Sequence, residues 1–157
     1  MDDVEKLLRA DVRNNSAWNH RWFLVFGREG EVDADGSKFE VTDEVWQREE
    51  DFAKDAVALA PQNESPWNYL KGLYRKQRKD IAGLEDFARR YAELNKEKIR
   101  SSHALDLLAD ICAARPGGQE EARKALDLLA GRFDPIRVNY WNYKKTLLDG
   151  SEAAAAA

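Results

Sequence analysis

Apolar residues recur along this chain at spacings of three and four, and nowhere alternate with period two for more than a few residues. That is the signature of amphipathic helices rather than half-buried strands. Val4, Leu7 and Leu8 make a short stripe, which predicts a helix over 3–10. Trp18, Trp22 and Val25 predict a second over 16–27, capped by Asn14 or Asn15 and ended by Gly27. Residues 28–42 (REGEVDADGSKFEVT) hold two glycines and several acids and read as an inserted loop. Thr42 is placed to cap a long helix from Asp43 to Ala60, with Val45, Phe52, Ala56 and Leu59 as its stripe and Trp46, Ala53 and Val57 beside it. After Pro61, Ser65 is expected to cap a helix that Pro66 opens and that carries Trp67, Leu70 and Tyr74.

Four more helices are expected: 81–94 behind Asp80, 102–114 behind Ser101 or Ser102, 119–132 after the Pro116-Gly117-Gly118 turn, and one from Asp134-Pro135 to Gly150. The last is expected to turn Ile136, Tyr140, Tyr143 and Leu147 inward. The closing SEAAAAA has no pattern, so 151–157 is expected to be a disordered tail.

The stretch DVRNNSAWNHRWFL at 11–24 returns more weakly as APQNESPWNYLKGL at 60–73, with Asn14 on Asn63 and Trp18 on Trp67. PIRVNYWNY near 134–147 echoes it again around Trp141. A degenerate copy near 96–108 places Ile99 and His103 where Asn and Trp would stand. Residues three after the tryptophan position are then Arg21, Leu70, Asp106 and Lys144. A period of this size belongs to solenoids of helix pairs, roughly 34–47 residues per repeat. The expectation is therefore an all-α chain of about four helical hairpins over 1–150, a right-handed α-α superhelix. The helix at 3–10 starts with no partner before it and reads as the second half of a hairpin whose first helix is missing, so the chain reads as a piece of a longer array.

Composition narrows the function. With 157 residues and a net charge of −4, the chain lacks the cationic excess that a general nucleic-acid binder needs to displace counterions. Cys112 is the only cysteine, which excludes an intrachain disulfide framework and suits a reducing cytosol. No run of 18 apolar residues exists, so membrane insertion is not expected. His20 and His103 are the only histidines, and Cys112 lies two and a half helical turns from His103, so no zinc site is expected. No phosphate-loop glycine pattern occurs.

An Asn, a Trp four later and an Arg three after that, as in Asn14, Trp18 and Arg21, resembles the repeat of protein prenyltransferase α subunits. DVRNNSAWN and NESPWNYLKG, with YWNYKK closing the array, are similar to the later repeats of the α subunit shared by protein farnesyltransferase and geranylgeranyltransferase type I. The likeness runs from about Leu7 to Leu148. It implies a crescent of helical hairpins wrapped around a β subunit in a cytoplasmic heterodimer. It also implies a C-terminal fragment that scaffolds farnesyl or geranylgeranyl transfer to a C-terminal cysteine motif. In that family the enzyme uses Zn and Mg, with Zn in the β subunit, and the α subunit's lysine and tyrosines near the isoprenoid diphosphate come from earlier repeats. Here Asn15 and Ser16 stand where the preceding repeat would carry a tyrosine and a histidine. No catalytic, cofactor-binding or metal-binding residue is therefore assigned, and the chain alone is expected to be inactive. The alternative is a free-standing helical-repeat interaction module with no catalytic role.

Trp18, Trp67, His103 and Trp141 are assigned to the core between repeats, since a tryptophan in register with apolar neighbours packs before it stacks on a ligand. Asn14, Asn15, Asn19, Arg21, Asn63, Glu64 and Asn68 are assigned to a partner interface. For Asn14 and Asn63, helix capping is an equal and compatible role. Arg21 and Asn19 are expected to meet the β subunit or the neighbouring repeat. The basic run from Lys71 to Lys79 suits a helix C-terminus better than a diphosphate site.

Overall fold

The computed structural model describes residues 1–32 and 34–156, with residues 152, 153 and 155 described by their backbone alone. It consists of helices and connecting turns that fall into two compact units, Met1–Lys79 and Asp80–Ala157.

The first unit holds α1 (Asp2–Ala10), α2 (Asn15–Phe26), α3 (Asp43–Leu59) and α4 (Glu64–Lys76). α1 packs on α2, α3 on α4, and α2 on α4. Asn14 caps α2 by accepting from Ala17 N at 3.1 Å, and Asn63 caps α4 by accepting from Ser65 N at 3.3 Å. So α4 starts at Glu64, earlier than expected, and Ser65 and Pro66 lie inside its first turn. Proline is tolerated there because the first N–H groups of a helix have no intrahelical acceptor.

Thr42 caps α3 through Val45 N, as its sequence position suggests. The buried face of α3 is rotated from the expected one: Trp46, Glu49, Glu50, Ala53, Ala56 and Val57 point inward, while Leu59 is 79% exposed. The reason is the burial of two carboxylates, which an apolar count assigns to solvent. In the loop before α3, Gly30 and Phe39 exchange backbone hydrogen bonds with the opposite arm, and Val32 bridges Lys38. Gly30 and Gly36 sit at φ values of 86° and 84°, where a side chain would be strained.

The second unit opens with a helical turn at Ile81–Leu84 and α5 (Glu85–Arg89). The expected helix over 81–94 stops there. Residues 92–99 fold back as a minimal antiparallel pair, β1 (Ala92–Glu93) and β2 (Lys98–Ile99), with Ala92 opposite Ile99. Glu97 takes the left-handed conformation that the reversal needs (φ 49°), and the Tyr91 carbonyl accepts from Arg100 N and Ser101 N. α6 (Ser102–Ala114) follows, capped by Ser101, then α7 (Gln119–Leu128) and a wide turn at Leu129–Phe133.

After a turn at Pro135–Arg137, α8 runs from Val138 to Ala156, past Gly150 and through most of the expected disordered tail; Ala157 lies outside the described residues. The face expected to be inner is the outer one: Ile136 is 95% and Tyr143 59% exposed, with Tyr140 and Leu147 also exposed. The stripe one residue on, Trp141 and Leu148, is buried instead. Both stripes are apolar, and the one that also carries Lys144, with acidic partners on α6, is the one that packs.

Candidate partner-docking face

The repeat's tryptophans have one structural role. Trp18, Trp67 and Trp141 are at most 2% exposed. Each indole N–H donates to a backbone carbonyl in the turn before its own helix: Trp18 to Val12 O at 2.8 Å, Trp67 to Pro61 O at 2.9 Å, Trp141 to Asp134 O at 3.0 Å. The rings fill the core while their single donor fixes the incoming chain, which is what a buried indole requires. Asn63 Nδ2 donates to the same Val12 carbonyl at 2.8 Å, tying two successive copies together.

His103 does not share this role. It is only half-buried, and the residue four after the capping Ser101 is Leu105, which is fully buried. Framed by the caps rather than by the period, the third copy carries leucine where the others carry tryptophan. Asp134 does not cap through its side chain; that carboxylate pairs with Arg137 at 2.5 Å.

Arg21, expected at an interface, is fully buried inside the first unit. Its Nε and Nη2 donate to the Glu49 carboxylate at 2.6 and 3.0 Å, and Nη1 reaches Glu5 at 3.3 Å. Tyr69 OH and Arg48 also donate to Glu49, at 2.8 and 3.0 Å. The guanidinium lies 3.6 Å from the centre of the Phe52 ring. Burial works against its charge, but the hydrogen bonds and field of Glu49 hold its pKa above the ordinary arginine value. Burial and the Glu49 charge push the Tyr69 phenol far above its ordinary range. The carboxylate partners of Arg21, Glu5 and Glu49, lie on the adjoining α1 and α3. At the matching position of the last copy, Lys144 donates to Asp106 at 2.7 Å and Asp110 at 2.6 Å. Desolvation opposes its charge, and these two aspartates outweigh it and raise its pKa.

What remains of the expected interface separates cleanly. Asn14 and Asn63 are caps and half-buried. Asn15, Asn19 and Asn68 are exposed and come together along a groove of about 410 Å³ between α2 and α4. Ser65 Oγ donates to Asn15 Oδ1 across it at 3.1 Å. Trp22 and Tyr69, edge to face at 5.4 Å, line it. Gly72 lets the two helices approach, since a Cβ there would lie 3.0 Å from the Trp22 ring. Glu64 is exposed at the start of α4 and is not among the lining residues.

A larger open groove of about 870 Å³ involves α1, α2 and α3 and is lined by Glu5, Asp43, Glu44, Asp51 and Asp55 around Arg21 and Arg48. The basic run is used locally, with Lys76 on Glu29 at 3.0 Å and Lys79 3.5 Å over the Trp46 ring.

Among the described residues no group of three or more His, Cys, Asp or Glu could hold a metal ion. His20 is exposed, and burial with the adjacent Glu121 pushes the Cys112 thiol up to about 11. Zinc needs three or four converging donors, and among the described residues His20, His103 and Cys112 belong to no such group. Among the described residues no helix is long and apolar enough to cross a membrane.

Hairpins locked by a buried indole, with exposed amides on one face, define a helical-repeat scaffold. The protein prenyltransferase alpha subunit repeat matches residues 1–27 and 46–77, so the chain carries the repeats of that family. The unmatched interval between them contains the inserted loop. Over most of its length the chain is similar to the protein farnesyltransferase/geranylgeranyltransferase type-1 subunit alpha. It is 38% identical to that of Candida albicans over 78% of this chain and 37% of the relative. It is 35% identical to that of Dictyostelium discoideum over 90% of this chain and 42% of the relative. It superposes on a chain of Candida albicans protein geranylgeranyltransferase-I complexed with GGPP with a TM-score of 0.81 and 36% identity, covering 92% of this chain and 45% of that one. The chain thus spans less than half the length of these relatives.

Proposed function

We propose that this chain forms part of the α subunit of a heterodimeric protein prenyltransferase and scaffolds its β subunit, with the α2–α4 face as a docking surface. The observation that carries the reading is the segregation of the repeat's asparagines. Two are spent on caps inside the fold, and Asn15, Asn19 and Asn68 gather on one exposed groove.

The chain supports farnesyl or geranylgeranyl transfer without supplying a reacting group. The zinc and magnesium of such an enzyme belong outside this chain, whose described histidines and cysteine belong to no cluster of three or more candidate ligands. A cytoplasmic location accompanies this reading.

Co-expression with a β subunit of the same family tests it. The expected result is a complex that survives gel filtration, together with no prenyl transfer by this chain alone. Failure to co-purify, or transfer to a C-terminal cysteine peptide by the isolated chain, overturns it.

A further inference from the structure

The chemistry of the α2–α4 groove specifies the shape of what lies in it. Its polar residues, Asn15, Asn19, Ser65 and Asn68, carry no formal charge. A carboxamide offers two donors and one acceptor site with two lone pairs. Asn19 and Asn68 spend none of these on another described residue. Donors and acceptors in that mixture match a polypeptide main chain, which presents N–H and C=O groups alternately.

Spacing agrees with composition. Asn15 and Asn19 stand one turn apart on α2, roughly 6 Å along the axis. Every second residue of an extended chain recurs at about 6.6 Å. An extended segment lying along the groove therefore brings one edge of its main chain to both amides in turn. The flat Trp22 and Tyr69 side chains beneath suit a narrow ribbon. A helix would satisfy its own main chain and would need an apolar trough for its side chains. A nucleic acid or diphosphate would need cations, and none lines this groove.

We propose that the α2–α4 groove binds an extended main-chain segment of the partner subunit through the carboxamides of Asn15, Asn19 and Asn68. This rests on the reading that the partner is a prenyltransferase β subunit.

The test titrates the full chain against that β subunit by calorimetry, with hydrogen–deuterium exchange on the complex. The Asn19→Leu/Asn68→Leu double variant should melt like the parent and bind at least tenfold more weakly. A stretch of β main-chain amides protected by the parent should exchange freely with the variant. Asp51→Asn, in the acid-lined groove, should bind like the parent. A double variant that binds within twofold of the parent overturns the inference and leaves the scaffold reading standing. So does protection confined to a β helix that is equally protected in free β. No binding by the parent chain overturns both.

Discussion

Replacing Arg21 by alanine should unfold the first unit's polar core rather than merely weaken a partner contact. The substitution strands Glu49, whose side chain is fully buried, and removes the bidentate pair of guanidinium bonds that Arg21 donates to it, at 2.6 and 3.0 Å. Breaking a buried ion pair on one side costs on the order of 3–5 kcal/mol. Arg48 and Tyr69 still donate to Glu49, which places the loss near the lower end, about 3 kcal/mol. For a chain of 157 residues each kcal/mol lowers the melting temperature by roughly 2–4 °C, so the fall should be about 6–12 °C. Urea and thermal melts followed by circular dichroism measure it. The companion Arg21→Met/Glu49→Leu, which removes both charges and keeps the volume, should be more stable than Arg21→Ala. An Arg21→Ala protein that melts within 1 °C of the parent, or a double variant no better than the single one, would refute the reasoning.

Trp67→Ala should cost roughly 3–5 kcal/mol, because it empties a fully buried site and frees the Pro61 carbonyl; urea melts read it. The Glu50 carboxylate is buried, which alone would raise its pKa, but Lys54 at 2.8 Å and the Tyr74 hydroxyl at 2.7 Å hold it below the ordinary value. A depressed carboxylate contributes stability above its unfolded pKa of about 4.3 and loses it as pH falls through the folded value. Glu50→Gln should therefore flatten the acid limb of a stability-versus-pH curve while leaving its shape above pH 6 unchanged. Cys112, its thiol raised to about 11, should react with a maleimide far more slowly in the native chain than in urea at pH 7.5. Equal rates would place it at the surface.

The caps and indoles were legible because their chemistry is local. An asparagine oxygen reaches an N–H two or three residues ahead, and an indole reaches a carbonyl six or seven behind, so Asn14, Trp18 and Trp67 declare their roles in sequence, whereas Asn63 competes with Ser65 for the same cap. Arg21, Glu49 and the face of α8 were not legible, because each depends on a partner more than twenty residues away. Glu49 reads as a solvent position until Arg21 is set against it, 28 residues upstream. Tyr143 reads as core until Lys144 is seen to pair with Asp106 and Asp110, which decides which of two neighbouring stripes turns inward.

The same comparison explains the drift three residues after the tryptophan. That site is buried in the first two copies and shielded in the last, but what it must satisfy differs: Glu49 on α3 for Arg21, nothing polar for the apolar Leu70, and a pair of aspartates on α6 for Lys144. The indole meets the same backbone turn in its three copies and keeps its identity, whereas this site meets whatever side chain the neighbouring helix brings. Partner chemistry thus has to be sought on the remaining exposed positions of the repeat, and in the groove between α2 and α4 those are the amides of Asn15, Asn19 and Asn68.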